Sequence, residues 1–183
     1  MTKCHWVNNN PLYIKYHDDE WGIPSYDDSY LFEMLVLESF QAGLSWECIL
    51  NKRANFAACL DSFDYHIISE YDDKKITELL NNPGIIRNKL KIKAMINNAK
   101  IFISIQKEYQ TFSNYIWGFN NNSIEYGNGQ IITHDALSDK IAQDLYRRGM
   151  RFVGTTIIYS YLQAIGIIND HEEQCDKYYK HIK

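Results

Sequence analysis

The stretch ITELLNNPGIIRNKLKIKAMINNAK, residues 76–100, predicts a helix, a Pro-Gly turn and a second, basic helix. This is the outline of a helix-hairpin-helix, in which N–H groups of the hairpin and a helix N-terminus hold a DNA phosphate. Any two helices joined by Pro-Gly share this outline, so it is a weak signal by itself. The motif usually has a second glycine. Asn88 stands in that region here, and asparagine tolerates left-handed backbone better than most residues.

The sequence on either side of this stretch is also patterned as helix. Asp28 is a plausible N-cap, and the residues that follow it on one face at three- and four-residue spacing are Leu31, Met34, Leu35 and Glu38. Further helical runs cover residues 46–60, 74–81, 89–108, 138–149 and 153–166. A loop is indicated around 120–130, and no alternating strand pattern of convincing length occurs. The fold class predicted is therefore all-α.

Length and composition favour an ordinary globular protein. The chain has 183 residues, 45% hydrophobic and 23% charged, which fits a single domain over 1–183. Residues 152–168 carry no charge, but the run is short for a membrane span and contains polar residues, so a buried helix explains it better. The N-terminus lacks the apolar segment of a signal peptide. A cytoplasmic location without membrane contact is expected.

The charge distribution permits contact with a polyanion although the net charge is −4. Basic residues follow one another from Arg87 to Lys107 with no acidic residue between them. Such runs are usually only solvated faces, but segregation of charge can give an acidic protein a basic side. The hypothesis is that four side chains face DNA phosphates near Gly84: Arg87, Lys89, Lys91 and Lys93.

Two thiols and two imidazoles near the chain ends suggest a metal site. They are Cys4, His17, His171 and Cys175, and the last two lie one helical turn apart. Four protein ligands would make a structural zinc site with no open position, which argues against a zinc hydrolase. Cys4 and His17 are far apart in sequence, so two unrelated thiols and two ordinary histidines remain the alternative. The other two cysteines, Cys48 and Cys59, are expected to be buried thiols.

Glu38 and the aromatic residues of the first 46 positions suggest a pocket. Glu38 continues an apolar helix face, and glutamates are rarely buried without a partner. It either borders a cavity or reaches solvent at its end. The aromatic residues are of the kind that stack on a base flipped out of DNA, but core packing is equally compatible with composition. The residues concerned include Trp6, Tyr13, Tyr16, Trp21 and Trp46.

Four blocks of the chain resemble the type I (constitutive) 3-methyladenine-DNA glycosylases, in an order and spacing that agree over nearly the whole chain. They are CHWVNNNPLYIKYHDDEWGIP (4–24), ESFQAGLSW (38–46), PGIIRNKLKIKAMINNA (83–99) and RFVGTTIIYSYLQAIGIINDH (151–171). The resemblance implies a monofunctional enzyme of base excision repair that hydrolyses the N-glycosidic bond of 3-methyladenine in alkylated double-stranded DNA. No obligate protein partner is implied.

The same resemblance implies roles for individual residues. Glu38 would contact the excised base, and Gly43 and Leu44 would fill the gap that the flipped base leaves in the duplex. The pocket around the base would be formed by Trp6, Tyr16, Trp21, Trp46 and Ser160. One structural Zn²⁺ would fasten the two chain ends through Cys4, His17, His171 and Cys175.

Many helix-hairpin-helix glycosylases carry an aspartate shortly after the hairpin, but this chain has no Asp between Asp73 and Asp135. The type I enzymes resemble it in this respect. N3-methylation makes adenine cationic and already a good leaving group, so the enzyme needs mainly recognition. No lysine stands out as a nucleophile for strand cleavage. The alternative is a non-catalytic, zinc-stabilised DNA-binding module, which would need neither Glu38 nor the clustered tryptophans.

Overall fold

A computed structural model describes residues 2–127 and 132–178 of the chain. The described residues are mainly helical, as the periodicity predicts. The helices are α1 Pro11–Asp19, α2 Asp28–Gln41, α3 Trp46–Leu50, α4 Arg53–Cys59, α5 Tyr65–Ser69, α6 Asp73–Asn81, α7 Lys89–Tyr109, α8 Phe112–Gly118, α9 Ala136–Arg147 and α10 Thr155–Ala164, with a 3-10 helix at Asp61–Phe63. Part of the loop predicted around 120–130, namely residues 128–131, lies outside the described residues.

Helix α2 lies at the centre of the core and packs against α3, α7, α8 and α10. Its residues from Leu31 to Phe40 are buried except for Glu33. Burial of each large apolar side chain contributes about 1.5–3 kcal/mol to folding. Glu38 is thus carried on a helix at the centre of the core, which is an unusual place for a carboxylate.

Asp28 does not have the role that the sequence predicts. The N-cap of α2 is Asp27, whose side chain accepts a hydrogen bond from the Ser29 backbone N–H. The carboxylate of Asp28 instead accepts bonds from the backbone N–H groups of Phe112 and Ser113, each at 2.8 Å. Because these two residues begin α8, Asp28 satisfies N–H groups at the start of a helix remote in sequence.

The predicted helix over 46–60 is interrupted. Helix α3 ends at Leu50 and α4 begins at Arg53, whose guanidinium is bound to two carboxylates. Its Nε lies 2.8 Å from Glu33 Oε1 and its Nη1 lies 2.7 Å from Glu20 Oε2. These ion pairs are largely shielded from solvent and attach the α4 start to α2.

A short pair of parallel strands also departs from the prediction of helices alone. Strand β1 is Glu125–Tyr126 and strand β2 is Ile168–Asn169, with Glu125 opposite Ile168. Two-residue strands are too short to show an alternating pattern. The pair brings the segment after α10 back towards the middle of the chain.

The uncharged stretch 152–168 forms the end of a loop, the buried helix α10 and strand β2. Gly166 ends the helix with φ +76, and a Cβ there would lie 2.2 Å from the Ile23 carbonyl carbon. Only glycine fits this approach. In the part of the chain that the structure describes, no helix is long and apolar enough to cross a membrane.

The two ends of the described chain are joined by backbone contacts. The Thr2 N–H donates to Asp176 Oδ2 at 3.1 Å, and the Asp176 N–H donates to the Thr2 carbonyl at 3.0 Å. These contacts bring Cys4 to the segment that carries His171 and Cys175.

Candidate active site and metal centre

One cavity of about 300 Å³ gathers most of the side chains that the sequence singles out. Its walls come from the N-terminal segment, α1, α2, α3, α10 and the segment after β2. Every residue predicted to surround a base lies on it. The lining residues are His5, Trp6, Tyr13, Tyr16, Trp21, Glu38, Gln41, Trp46, Ile132, Ser160, Gln163, Asp170 and Glu172.

Glu38 is buried in the wall of this cavity, with 3% of its surface exposed. Its Oε2 atom has no hydrogen-bond partner among the described residues. Burial raises the pKa of Glu38 from its ordinary value of 4.5 to about 8. In the free protein at neutral pH the side chain is therefore mainly the neutral acid, because burial disfavours the charged carboxylate.

Two tyrosine hydroxyls lie within the electrostatic reach of Glu38. The pKa of Tyr16 is raised well above its ordinary value, first by burial and then by the Glu38 carboxylate. The pKa of Tyr13 is raised by burial, with smaller contributions from Glu47 and Glu38. Both phenols therefore stay protonated and remain hydrogen-bond donors throughout the physiological range.

Aromatic rings form the opposite part of the wall. The ring of Trp6 lies 4.8 Å from that of Trp21 at 76° and 5.3 Å from that of Tyr13. Tyr16 and Trp46 have centroids 5.1 Å apart at 53°. The indole N–H of Trp46 is buried and has no acceptor within the described ranges. Two residues that line the cavity thus each carry a buried polar atom that the described residues leave without a hydrogen-bond partner.

A polar side of the cavity was not predicted from the sequence, apart from Ser160. Gln163 lies beside Ser160 one turn further along α10, and its Nε2 donates to Asp170 Oδ2 at 2.8 Å. The Tyr159 hydroxyl donates to the same oxygen at 3.3 Å. Gln41 was also missed, although its position one turn after Glu38 on α2 was a usable signal. Nothing in the local pattern indicates that Asp170, which follows β2, reaches the cavity.

The four residues proposed as metal ligands form one buried cluster. Their donor atoms all lie within 4.8 Å of one another. Cys175 Sγ is 3.4 Å from His17 Nε2 and 3.5 Å from His171 Nδ1, and Cys4 Sγ is 3.5 Å from His171 Nδ1. In a tetrahedral zinc site, sulfur and nitrogen ligands are separated by roughly 3.5 Å, given the usual metal–ligand lengths. The donor set and spacing fit Zn²⁺.

The second nitrogen of each imidazole has an acceptor that fixes the ring. His17 Nδ1 lies 2.7 Å from Asp18 Oδ1, and His171 Nε2 lies 3.0 Å from the Trp21 carbonyl. Such partners orient metal-bound histidines in known sites. Burial raises the pKa of the Cys4 thiol to about 12, so a cation would be required to hold this sulfur as a thiolate.

Comparison with known proteins identifies the family. The family model described as methyladenine glycosylase matches residues 6–178. The chain belongs to the methyladenine glycosylase family. The resemblance seen in the sequence blocks is thereby confirmed, and so is the prediction of a glycosylase.

Relatives of this methyladenine glycosylase match along almost their whole length. DNA-3-methyladenine glycosylase 1 of Escherichia coli (strain K12) is 41% identical over 179 residues, covering 96% of both chains. A crystal structure of 3-methyladenine DNA glycosylase I superposes with a TM-score of 0.93 and 41% identity, over 97% of this chain and 100% of the other. The structure of the Staphylococcus aureus enzyme, solved to explain its recognition of 3-methyladenine, superposes with a TM-score of 0.94 and 31% identity. The match covers 99% of this chain and 98% of the other.

In this methyladenine glycosylase the turn between α2 and α3 is exposed beside the cavity. Gly43 has φ +79, which favours glycine, and a Cβ there would have no atom of the described residues within 4 Å. Leu44 is 40% exposed, and its N–H donates to the Gln41 carbonyl at 2.7 Å. An apolar side chain is therefore held outward next to a residue that lines the cavity.

Three of the four basic side chains predicted to face DNA are exposed: Arg87, Lys89 and Lys93. The prediction is wrong for Lys91. Its side chain is buried, and Nζ donates to the carbonyls of Phe40 at 2.8 Å and Ala42 at 2.6 Å. The positive charge lies at the C-terminus of α2, where helix carbonyls lack intrahelical partners, and not on the surface.

The connection between α6 and α7 has few free amides. The Gly84 N–H donates to Asn82 Oδ1 at 2.8 Å. The Asn88 side chain caps α7 by accepting from the N–H groups of Leu90 and Lys91, and its own φ is −120. Asn88 thus acts as an N-cap here and does not take left-handed backbone. The assignment of residues 76–100 as a DNA-binding hairpin stays a prediction.

The connection between α9 and α10 is different. Gly149 has φ +100. Gly154 is the N-cap of α10, and no side chain among the described residues caps the first-turn N–H groups. Uncapped amides at a helix start favour an anion. The sequence did not predict an anion site at this connection, because its glycines are separated by ordinary residues and no Pro-Gly turn marks it.

Proposed function

We propose that this protein is a monofunctional DNA glycosylase that excises 3-methyladenine from alkylated DNA by hydrolysing its N-glycosidic bond. The observation that carries the proposal is the pair of unsatisfied buried groups, Glu38 Oε2 and Trp46 Nε1, in a cavity walled by aromatic rings. Leaving such groups unpaired costs about 1–3 kcal/mol each. A flat ligand that has both a hydrogen-bond donor and an acceptor would satisfy them.

A flipped methylated adenine fits this description. Its ring would lie against the faces of Trp46 and the neighbouring aromatic side chains, and its exocyclic amine would donate to Glu38. While attached to the sugar, the N3-methylated base is cationic, and aromatic faces attract a cation by about 0.5–2 kcal/mol per well-placed contact. Neutral adenine would gain less from the same rings.

The state of Glu38 is coupled to the charge of the base. A positive charge beside the carboxyl group lowers its pKa again, since an opposite charge favours the ionised form. Entry of the cationic base would therefore release the proton of Glu38 and convert an ordinary hydrogen bond into a charge-assisted one. An uncharged base would not do this, so the burial that raises the pKa of Glu38 contributes to selectivity.

Hydrolysis needs little further assistance. Water adds to C1′ of the sugar and gives up a proton to the solvent, the bond from C1′ to the base breaks, and the bonding electrons neutralise the departing methylated base. The side chains of the cavity bind and orient the base during this step. The carboxylate of Glu38 stabilises positive charge on the base and sugar as the bond breaks.

DNA would be held on the face that surrounds the cavity mouth. Leu44 at the exposed turn would occupy the space left by the flipped base, and Gly43 allows the tight turn that presents it. Arg87, Lys89 and Lys93 would contact phosphates, since exposed basic side chains supply most of the affinity for a DNA backbone. The uncapped start of α10 at Gly154 would bind a further phosphate.

A structural Zn²⁺ would join the chain ends through Cys4, His17, His171 and Cys175. The spacing of the donor atoms and the second acceptors for both imidazoles support this assignment. With four protein ligands the metal would stabilise the fold and leave the chemistry to the cavity.

The test is release of free base. Purified protein is incubated with DNA treated with a methylating agent, and the supernatant is analysed by chromatography for 3-methyladenine. Time-dependent release of the free base without strand cleavage supports the proposal. Binding to the same DNA with no released base would instead favour the non-catalytic module, although such a module has no need for the buried Glu38.

A further inference from the structure

Lys91 is a buried cation that the proposed reaction does not use. Only 7% of its surface is exposed, although it lies in the basic first half of α7. Burial lowers the pKa of its ammonium group. Burying an ammonium group is expensive unless hydrogen bonds replace its hydration, so its contacts must supply that replacement.

Two of those contacts are the last carbonyls of α2. Nζ donates to Phe40 O at 2.8 Å and to Ala42 O at 2.6 Å. A positive charge at this end of a helix is stabilised by the carbonyl dipoles. Ala42 directly precedes the Gly43–Leu44 turn, and Phe40 lies two residues after Glu38. The ammonium group thus fixes the point where the buried helix becomes the exposed turn.

The same region is tied to the connection before α10. Nζ of Lys91 lies 5.9 Å from the centroid of the Phe152 ring, within the range of a cation–π contact. On α2, Ser39 Oγ donates to the Phe152 carbonyl at 3.1 Å. Phe152 has φ +55, which is strained for a bulky residue and persists only where neighbours hold it. Lys91 is therefore hydrogen-bonded directly before the turn and lies near the loop that leads to Gly154.

We infer that Lys91 is a positioning residue, which sets the Gly43–Leu44 turn against the loop before α10 so that both meet DNA in the correct relative arrangement. The inference rests on the proposed function. Two events share the cavity. Binding of a free base needs only the cavity walls, whereas excision from a duplex also needs the Gly43–Leu44 turn. Lys91 affects excision from a duplex only.

Replacement by methionine tests this. Lys91→Met keeps an unbranched apolar stem and removes the charge and the donors. We expect single-turnover excision of 3-methyladenine from duplex DNA to fall at least 10-fold, while the dissociation constant for free 3-methyladenine, measured by quenching of tryptophan fluorescence, stays within twofold. Lys100→Met is the matched control, because Lys100 is exposed on the same helix and the charge change is identical.

A second substrate tests whether the turn is the affected element. When the lesion lies opposite an abasic gap, flipping requires less unpairing, so the defect of Lys91→Met should shrink several-fold relative to the paired duplex. A general packing defect would reduce excision from both substrates equally. If Lys91→Met does not fold, Lys91→Arg replaces it. Arginine keeps the charge but places its donors differently. We again expect slower excision from the duplex and unchanged affinity for the free base.

Three results would overturn the inference: duplex excision within twofold of wild type, a parallel loss of free-base binding, or an equal defect on the two substrates. Failure of the wild-type protein to release any base would be a different result. It would refute the proposed function itself, whereas the Lys91 comparison presupposes an active wild type.

Discussion

The rings of Trp21 and His171 are in edge-to-face contact, with centroids 4.7 Å apart and planes at 80°. The Trp21 carbonyl also lies 3.0 Å from His171 Nε2. Trp21 lines the cavity and His171 belongs to the candidate metal cluster, so the two sites share a boundary. Loss of the metal should therefore disturb the aromatic wall as well as the chain ends.

The metal prediction follows from this contact. Cys175→Ser should lower the zinc content measured by atomic emission and also lower the melting temperature, because metal binding is coupled to folding. The affinity of this variant for free 3-methyladenine should fall together with its zinc content and melting temperature. Cys59→Ser is the control, since Cys59 is a half-buried thiol outside the cluster. Wild-type zinc stoichiometry in Cys175→Ser would remove Cys175 from the site.

The raised pKa of Glu38 predicts a pH dependence of stability. Between its ordinary value of 4.5 and about 8, the folded protein holds a proton that the unfolded chain has lost. The stability that this bound proton contributes is fully present below pH 4.5 and is lost as the pH rises through about 8. The free energy of unfolding falls by up to about 1.4 kcal/mol per pH unit over this range.

Glu38→Gln should lack this dependence. The free energy of unfolding is measured with urea from pH 5 to pH 8. As the pH rises, the value for the variant should therefore increase relative to that of the wild type. Glu70→Gln, at an exposed carboxylate, corrects for general effects. Parallel curves for Glu38→Gln and the wild type would mean that Glu38 is ionised in the free protein.

The exposed basic residues predict the salt dependence of DNA binding. The double variant Lys89→Ala, Lys93→Ala should bind DNA more weakly for all sequences and lower the slope of log affinity against log salt by roughly two units. Lys100→Ala, Lys107→Ala is the control on the same helix. An unchanged slope in the first variant would show that these side chains are only a solvated face.

The local sequence pattern was sufficient to predict the long helices but not the residues that they contact in the folded protein. The face that carries Glu38 was visible as a three- and four-residue period, and the start of α2 and both ends of α7 were placed within one residue. Asp28 was misassigned because its acceptors are filled by N–H groups of Phe112 and Ser113, a contact with no local signal. The helices α5 and α8, with five and seven residues, have too few turns for a period to be recognised. Helix α1 is as long as α6 but lacks a comparable apolar face.

The same limit explains which site residues were found. Lys91 was predicted to be exposed from its charge alone. Its hydrogen-bond partners, the carbonyls of Phe40 and Ala42, are distant in sequence and leave no local signal. Asp170 was missed for a similar reason. The metal cluster joins residues from both chain ends, so spacing carries almost no information about it. Residue type alone suggested the set, and the family resemblance favoured it over two unrelated thiols and two ordinary histidines.

Single-turnover excision of 3-methyladenine from duplex DNA by Glu38 variants tests the central claim most directly. Glu38→Gln loses one charge-assisted hydrogen bond of about 1.5–3 kcal/mol, which predicts a rate about 10- to 150-fold below wild type. Glu38→Ala should be slower still, because water enters the space, while DNA affinity should change little in either variant. Excision by Glu38→Ala at the wild-type rate would contradict the account and place the reaction elsewhere.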